Sequence, residues 1–188
     1  MIKSTAPLTR RGFGALLGAA ALAANANGAL AAPEQIARRV SGLRVPDWRE
    51  HFDTLENDAI LCNLTDRVLH YWGADGFYRI YPTSVALSEE MSRRGRTEIV
   101  LKRPDPEWRP TPSMLERNPA LPPYVGPGPD NPLGIRALNL GWQYYLIHGT
   151  NDIRKIGRQS SSGCIGLYNE HILEVYDRSR IGTPVVVI

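Results

Sequence analysis

Short apolar runs separated by turn residues begin at Ala59 and continue to the last residue. "AILCNLTDRVLHYWG" reads as two strands around a polar turn at Thr65–Asp66, and "GFYRIYPTSVAL" as a third with alternating apolar positions. "TEIVLKRP" is a fourth. In "IRALNLGWQYYLIHGT", Leu138, Leu140, Trp142, Tyr144 and Leu146 alternate, which predicts one continuous strand ending at His148. "NEHILEVYDRS" carries the only clear helical spacing downstream. Ile172, Leu173, Val175 and Tyr176 form its apolar side, and Asn169 stands as its N-cap. "GTPVVVI" closes the chain as a strand. Many short strands and few helices predict a mainly β domain, a sandwich or barrel, over 59–188.

Two segments break the pattern. Ten of the 15 prolines fall between Pro104 and Pro132. Proline fixes φ and removes a backbone donor, so this stretch forms neither a central strand nor a long helix. It still carries Trp108, Met114, Leu115, Leu121 and Tyr124, an apolar load that suits a packed lid better than a solvated linker. At the other end, "LTRRGFGALLGAAALAANANGALAA" joins two arginines to an apolar run from Phe13 to about Ala24 and an "ALA" ending at Ala31. That arrangement resembles a twin-arginine export signal over residues 1–32 and is too weakly apolar for a transmembrane anchor. A polar linker or short helix over 33–58 would follow, and the mature protein would work in the periplasm, an oxidising compartment.

The formal charge of +3 shrinks under this reading. Lys3, Arg10 and Arg11 belong to the leader, and without them 19 basic residues face 19 acidic ones. No basic face remains to suggest a nucleic-acid partner. The two cysteines then call for explanation. Cys62 sits in an apolar run, where a buried thiol is ordinary. Cys164 sits in "SSSGC", where packing gives it no reason to be. A Cys62–Cys164 disulfide is one alternative.

If the loop after Gly149 folds back, His148 can serve as a base for Cys164, since only the thiolate attacks carbonyls well. Gly163 would let the amides of Gly163 and Cys164, with Ser162, converge on the oxygen of a tetrahedral intermediate. A metal site of His148, Cys164 and His171 is the other alternative, although it lacks the close ligand pairing usual for zinc.

"HGTN" followed by "SSGCI" resembles the signature of the L,D-transpeptidase (YkuD-domain) family. The likeness extends through "GRTEIVLKRPDPEW", "PPYVGPGPDNPLG", "LGWQYYLIHGTN" and "VYDRSRIGTPVVVI", in the order of the family's periplasmic branch. The resemblance implies a largely β catalytic domain acting as a cysteine acyl transferase on peptidoglycan stem peptides, without metal or organic cofactor. It implies Cys164 as nucleophile and His148 as general base, with Gly149 orienting the histidine and Ser161 and Gly163 shaping the loop. The thiolate would attack the third stem residue, expel the terminal D-alanine and pass the acyl group to a second stem as a 3–3 cross-link. Carbapenems would acylate the same thiol.

Two positions depart from the family pattern. Ser162 stands where many relatives have histidine, and Gly166 where arginine is usual. An arginine would offer a fork of donors for a carboxylate or carbonyl at the substrate. Its loss implies a substitute such as Arg154 or Arg158, or weak activity, or altered donor recognition, for instance attack at the first stem residue, giving a 1–3 link. Resolution by water (an L,D-carboxypeptidase), resolution by a protein amine (an anchoring enzyme) and a non-catalytic wall-binding module are the alternative functions.

Overall fold

A computed structural model describes residues 45–188. The export leader and the first part of the linker lie outside the described residues. Ten strands and two α-helices follow in chain order. They are β1 (Ala59–Asn63), β2 (Val68–Trp72), β3 (Tyr78–Pro82), β4 (Val85–Ala86), β5 (Gly95–Arg103), α1 (Pro112–Arg117), β6 (Ala137–Leu140), β7 (Leu146–His148), β8 (Gln159–Ser161), β9 (Ile165–Gly166), α2 (Asn169–Arg178) and β10 (Pro184–Val187).

Eight strands form one sheet in the order β3-β2-β1-β10-β5-β6-β7-β9, and β4 pairs with β8 separately. β10, last in sequence, lies inside the sheet, parallel to β1 and antiparallel to β5. The two edges are tied together. Ser84, just past β3, bridges Gly166 of β9 through two backbone hydrogen bonds, so the sheet curls toward a barrel. The expected mainly β architecture is what the structure shows.

Alternation decides what each face buries. Ile60 and Cys62 of β1 point into the main core with Tyr71, Tyr81, Leu138, Ile147 and Val185. Ala59 and Leu61 face the opposite side with Trp72 and Val186. That second face is covered by the segment before β1. Asp47 caps a short 3-10 turn at Trp48–Glu50, and Phe52 is buried against the sheet. This part of the expected linker is therefore packed structure. α2 seals the main core with Ile172 and Val175, both fully buried. Asn169 is not its cap: Tyr168 holds that place, and the Asn169 side chain instead accepts from the Thr150 amide at 3.1 Å.

The continuous strand expected over 135–148 is a hairpin. The chain turns at Gly141–Tyr145, with Tyr144 at a φ of 69°, and β7 returns antiparallel to β6. The proline-rich segment is an ordered cover. Trp108 and Val125 bridge it by two 2.9 Å backbone hydrogen bonds. α1 starts at Pro112, a residue suited to a first helical turn, and Thr111 caps it. At its base Asn131, fully buried, donates to the carbonyls of Pro106 (2.7 Å) and Gly126 (2.9 Å). Its Oδ1 accepts from Leu133 at 2.8 Å. One side chain thus replaces the ladder that proline removes. Among the described residues no helix is long and apolar enough to cross a membrane.

Candidate active site

Register brings His148 and Cys164 together. β7 and β9 run parallel, with Ile147 opposite Ile165 and His148 opposite Gly166. Ile147 and Ile165 are buried to 0 % and 3 % exposure in the main core. Successive side chains alternate, so His148 and Cys164 face the other side, diagonally across the two strands. A slip of one residue would exchange the faces and expose both isoleucines, at about 2 kcal/mol each, so the core fixes the site. Diagonal neighbours of this kind lie about 7–8 Å apart at Cα, within reach of longer side chains. Both residues line one cavity of about 760 Å³, roofed by Trp108, Met114, Leu121 and Val125 of the lid.

His148 is nearly buried, and its Nδ1 lies 2.5 Å from the Gly149 carbonyl oxygen. A carbonyl only accepts, so Nδ1 carries the proton and Nε2 presents the lone pair. Burial pushes the imidazole down to about 4; the Gly149 carbonyl opposes this and the charge of Lys155 adds to it. Cys164 is half-buried. Its thiol donates to the Tyr144 carbonyl at 3.3 Å and makes no hydrogen bond with His148. Burial pushes the thiol up to about 11, with the Leu146 amide pulling the other way. The resting pair is neutral thiol and neutral imidazole, not the activated thiolate that an adjacent base suggests.

The loop before Cys164 explains its small residues. Gly163 has a φ of 122°, and a Cβ there would meet the Met91 carbonyl oxygen at 2.9 Å and the Tyr145 ring at 3.0 Å. Its N–H is taken by the Ser161 hydroxyl (3.2 Å), which itself donates to the Cys164 carbonyl at 2.6 Å. The Gly163 amide is therefore committed to holding the loop rather than open to an oxyanion. The Ser162 hydroxyl accepts from the Arg117 guanidinium of α1 at 2.9 Å, tying loop to lid. Gly149 admits no side chain either, since a Cβ would stand 2.3 Å from Asn169 Oδ1.

Other expectations fare differently. Gly166 is buried, and a Cβ there would meet the Ser84 hydroxyl oxygen at 2.4 Å and His148 Cε1 at 3.8 Å. Ser84, not a residue-166 side chain, fills that side of the imidazole. Arg158, expected at the substrate, is exposed outside the cavity lining, because its backbone pairs with Val85 and Lys155 and turns its side chain to solvent. Arg154, also exposed, is paired with Asp152. The disulfide alternative fails: both thiols are free, and Cys62 is a core residue. So does the metal alternative. His171 lies on α2 between the rings of Tyr81 and Tyr168, and no three ligating side chains converge among the described residues. Tyr144, Leu146, Ser84 and Lys155 join the site without having been anticipated. The first two act through backbone atoms, which carry no residue signal.

Comparison with known proteins bears on the family and the fold. The family model of the YkuD L,D-transpeptidase catalytic domain matches residues 57–187. A Fuscovulum blasticum protein named as an L,D-transpeptidase in the ATP synthase subunits region is 51% identical over 98% of this chain and 100% of its own length. The Escherichia coli K12 protein named as the L,D-transpeptidase ErfK/SrfK is 34% identical over 79% of this chain. Only 49% of that relative is covered, so the chain spans about half its length. In fold, the chain resembles L,D-transpeptidase 3 from Mycobacterium tuberculosis, with a TM-score of 0.58 and 14% identity over 70% of this chain and 61% of that one. The same Mycobacterium protein has been solved with a faropenem-derived adduct, at a TM-score of 0.51, 18% identity and coverage of 70% and 60%. With a family model spanning nearly all of the described residues and a relative matched along its whole length, the chain belongs to the YkuD L,D-transpeptidase family.

Proposed function

We propose that this chain is an exported L,D-transpeptidase that cross-links peptidoglycan stem peptides in the periplasm, with Cys164 as nucleophile and His148 as general base. The observation that carries this reading is the placement of His148, at the end of β7, and Cys164, just before β9, on one cavity, with a lone pair left on His148 Nε2. As sulfur bonds to the carbonyl carbon of the third stem residue, Nε2 takes the thiol proton. The amide of Cys164 offers an N–H to the developing oxyanion, and the Leu146 amide steadies the sulfur. When the tetrahedral intermediate collapses, the imidazolium returns its proton to the leaving nitrogen and D-alanine departs, leaving a thioester. The side-chain amine of a second stem then attacks the thioester and His148 takes a proton from it. The thiol is released and a 3–3 link remains.

The adduct derived from faropenem, a penem, on a protein of the same fold supports acylation by the related carbapenems here. Imipenem incubated with the reduced, folded protein should add its mass to Cys164, leave Cys62 unmodified, and give no adduct with Cys164→Ala. A folded wild type that forms none would favour a non-catalytic wall-binding module. Muropeptide analysis reads the second substrate: 3–3 dimers are expected. Shortened monomers would mean resolution by water, and 1–3 dimers a different donor position.

A further inference from the structure

β7 ends at His148, and regular strand pairing ends with it. The His148 carbonyl still accepts from the Leu167 amide at 2.8 Å, and the Gly149 amide donates to the Arg136 carbonyl at 3.1 Å. The next peptide group, between Gly149 and Thr150, has no strand beside it. Its carbonyl is the one that takes the Nδ1 proton of His148, so whatever holds this peptide also sets the tautomer of the imidazole. Among the described residues its N–H, on the buried Thr150, has one partner, Asn169 Oδ1 at 3.1 Å. In a trans peptide the N–H and the C=O point opposite ways, so His148 and Asn169 grip one plane from its two ends.

The packing around that contact is built for it. Asn169 is the first residue of α2, which the fully buried Ile172 and Val175 fix against the core. A Cβ at Gly149 would stand 2.3 Å from Asn169 Oδ1. A Cβ at Gly134, where φ is 63°, would stand 2.3 Å from the same oxygen and 2.4 Å from the Thr150 nitrogen. Two positions far apart from Asn169 in sequence must therefore lack side chains for this one oxygen to reach this one N–H. Helix capping does not account for the residue, since Tyr168 holds the cap position and Asn169 directs its oxygen at another segment.

We propose that Asn169 is a positioning residue for the acid–base chemistry: by holding the Gly149–Thr150 peptide it keeps the carbonyl aimed at Nδ1, and so keeps Nε2 open to the thiol proton. The proposal rests on the acyl-transfer reading of Cys164 and His148. The link is electronic as well as geometric. A peptide whose N–H donates has a carbonyl that accepts more strongly. That carbonyl's hold on the Nδ1 proton tightens when Nε2 gains a proton and the ring becomes cationic. Asn169 thus favours the imidazolium through one intervening peptide. Without it the peptide is free to turn about the bonds of Gly149, which has no Cβ to resist. The ring can then place its single proton on Nε2, where it blocks the base.

The test reads tautomer and reactivity separately. In protein carrying isotope-labelled histidine, proton–nitrogen correlation spectra show which ring nitrogen of His148 bears the proton, and imipenem acylation followed by mass reports the chemistry. Wild type should show the proton on Nδ1. Asn169→Ala should move much of it to Nε2 and slow acylation by about tenfold to a hundredfold, the size of one charge-assisted hydrogen bond. Its melting temperature should fall by only about 5 °C. Asn169→Asp keeps the acceptor and suits the start of a helix, so it should hold the Nδ1 proton and acylate within about threefold of wild type. An alanine variant with the wild-type tautomer would overturn the assignment, and so would a folded aspartate variant that loses it. A displaced proton with an unchanged acylation rate would overturn His148 as the base and leave Asn169 a structural residue only. A wild type that shows the Nδ1 proton yet forms no adduct would overturn acyl transfer, and the positioning role with it.

Discussion

Replacing Asn131 by alanine should open the lid without unfolding the sheet. The side chain makes three well-formed hydrogen bonds, at 2.7, 2.9 and 2.8 Å, to Pro106, Gly126 and Leu133. At about 1 kcal/mol net for each, the loss is about 3 kcal/mol, and stranding buried carbonyls adds to it. All three partners lie in or just after the lid, so the cost falls on the lid's own closing equilibrium. At 1.4 kcal/mol per tenfold, opening becomes about a hundredfold more frequent. Hydrogen exchange reads this directly. The amides of Trp108 and Val125, which close the bridge across the lid, should lose about two decades of protection, while those of Ile147 and Val185 in the core lose much less. Asn131→Asp should be worse than alanine, because it keeps the acceptor for Leu133 but turns a carboxylate oxygen toward two carbonyls. Trp108 protection within a factor of three of wild type would refute the reasoning. An equal loss at lid and core would show that the side chain holds the whole fold and not the lid.

The neutral resting pair sets the pH dependence of thiol reactivity. Alkylation of Cys164 by iodoacetamide should be slow at pH 7 and climb toward about 11, with no plateau near neutrality such as a resting ion pair would give. Stability should fall in acid: burial lowers both His70 and His148 to about 4 from 6.5. The unfolded chain then binds protons that the folded one refuses as pH drops from 6.5 to 4, at a cost of about 3 kcal/mol per histidine. Melting temperature should decline over that window, less steeply in His70→Phe, and a flat profile would contradict the burial argument. Gly163→Ala should cut imipenem acylation by at least about tenfold while the core stays folded, because its Cβ meets a fixed carbonyl and forces Cys164 to move. Gly166→Arg should destabilise by about 1–3 kcal/mol through collision with the Ser84 hydroxyl. Ser84→Ala should recover part of that loss, and strictly additive effects would show that the two positions do not touch.

What the sequence made legible follows from how local each signal is. β1, β2, β5 and β10 each carry their own alternation and bounding turns, and all form where the pattern puts them. β6 and β7 look like one strand in the sequence because Leu138 to Leu146 alternate without interruption. The turn that divides them depends on Tyr144 taking a left-handed backbone that its side chain does not advertise. The third strand breaks at Thr83–Ser84 for a non-local reason: Ser84 is drawn across to pair with Gly166. The candidate site divides the same way. His148 and Cys164 stood out through the small residues around them, and Gly163 through the turn it permits. Lys155, Ser84 and the Leu146 amide owe their positions to the register of β7 against β9 and to the loop that joins β7 to β8. The direction of the thiol's pKa is also hidden, because it depends on how tightly the lid of Pro104–Pro132 closes over a cysteine far along the chain from it.

A neutral pair is compatible with fast chemistry, and the magnitudes show why. Moving the proton from a thiol near 11 to an imidazole near 4 costs at most about 10 kcal/mol if the two groups ignore each other. The ions formed attract by about 4 kcal/mol at 4 Å in a medium of effective dielectric 20. That leaves about 6 kcal/mol, against the total barrier of about 16 kcal/mol that corresponds to a turnover of about 10 s⁻¹. Proton transfer therefore fits inside the barrier with room for C–S bond formation, and no standing thiolate is required. A standing thiolate would instead be exposed to oxidation in the compartment where this chain is proposed to work. Burial keeps the sulfur protonated until a donor enters. The quiet resting state thus has its cause in the low-dielectric cavity shared by His148 and Cys164.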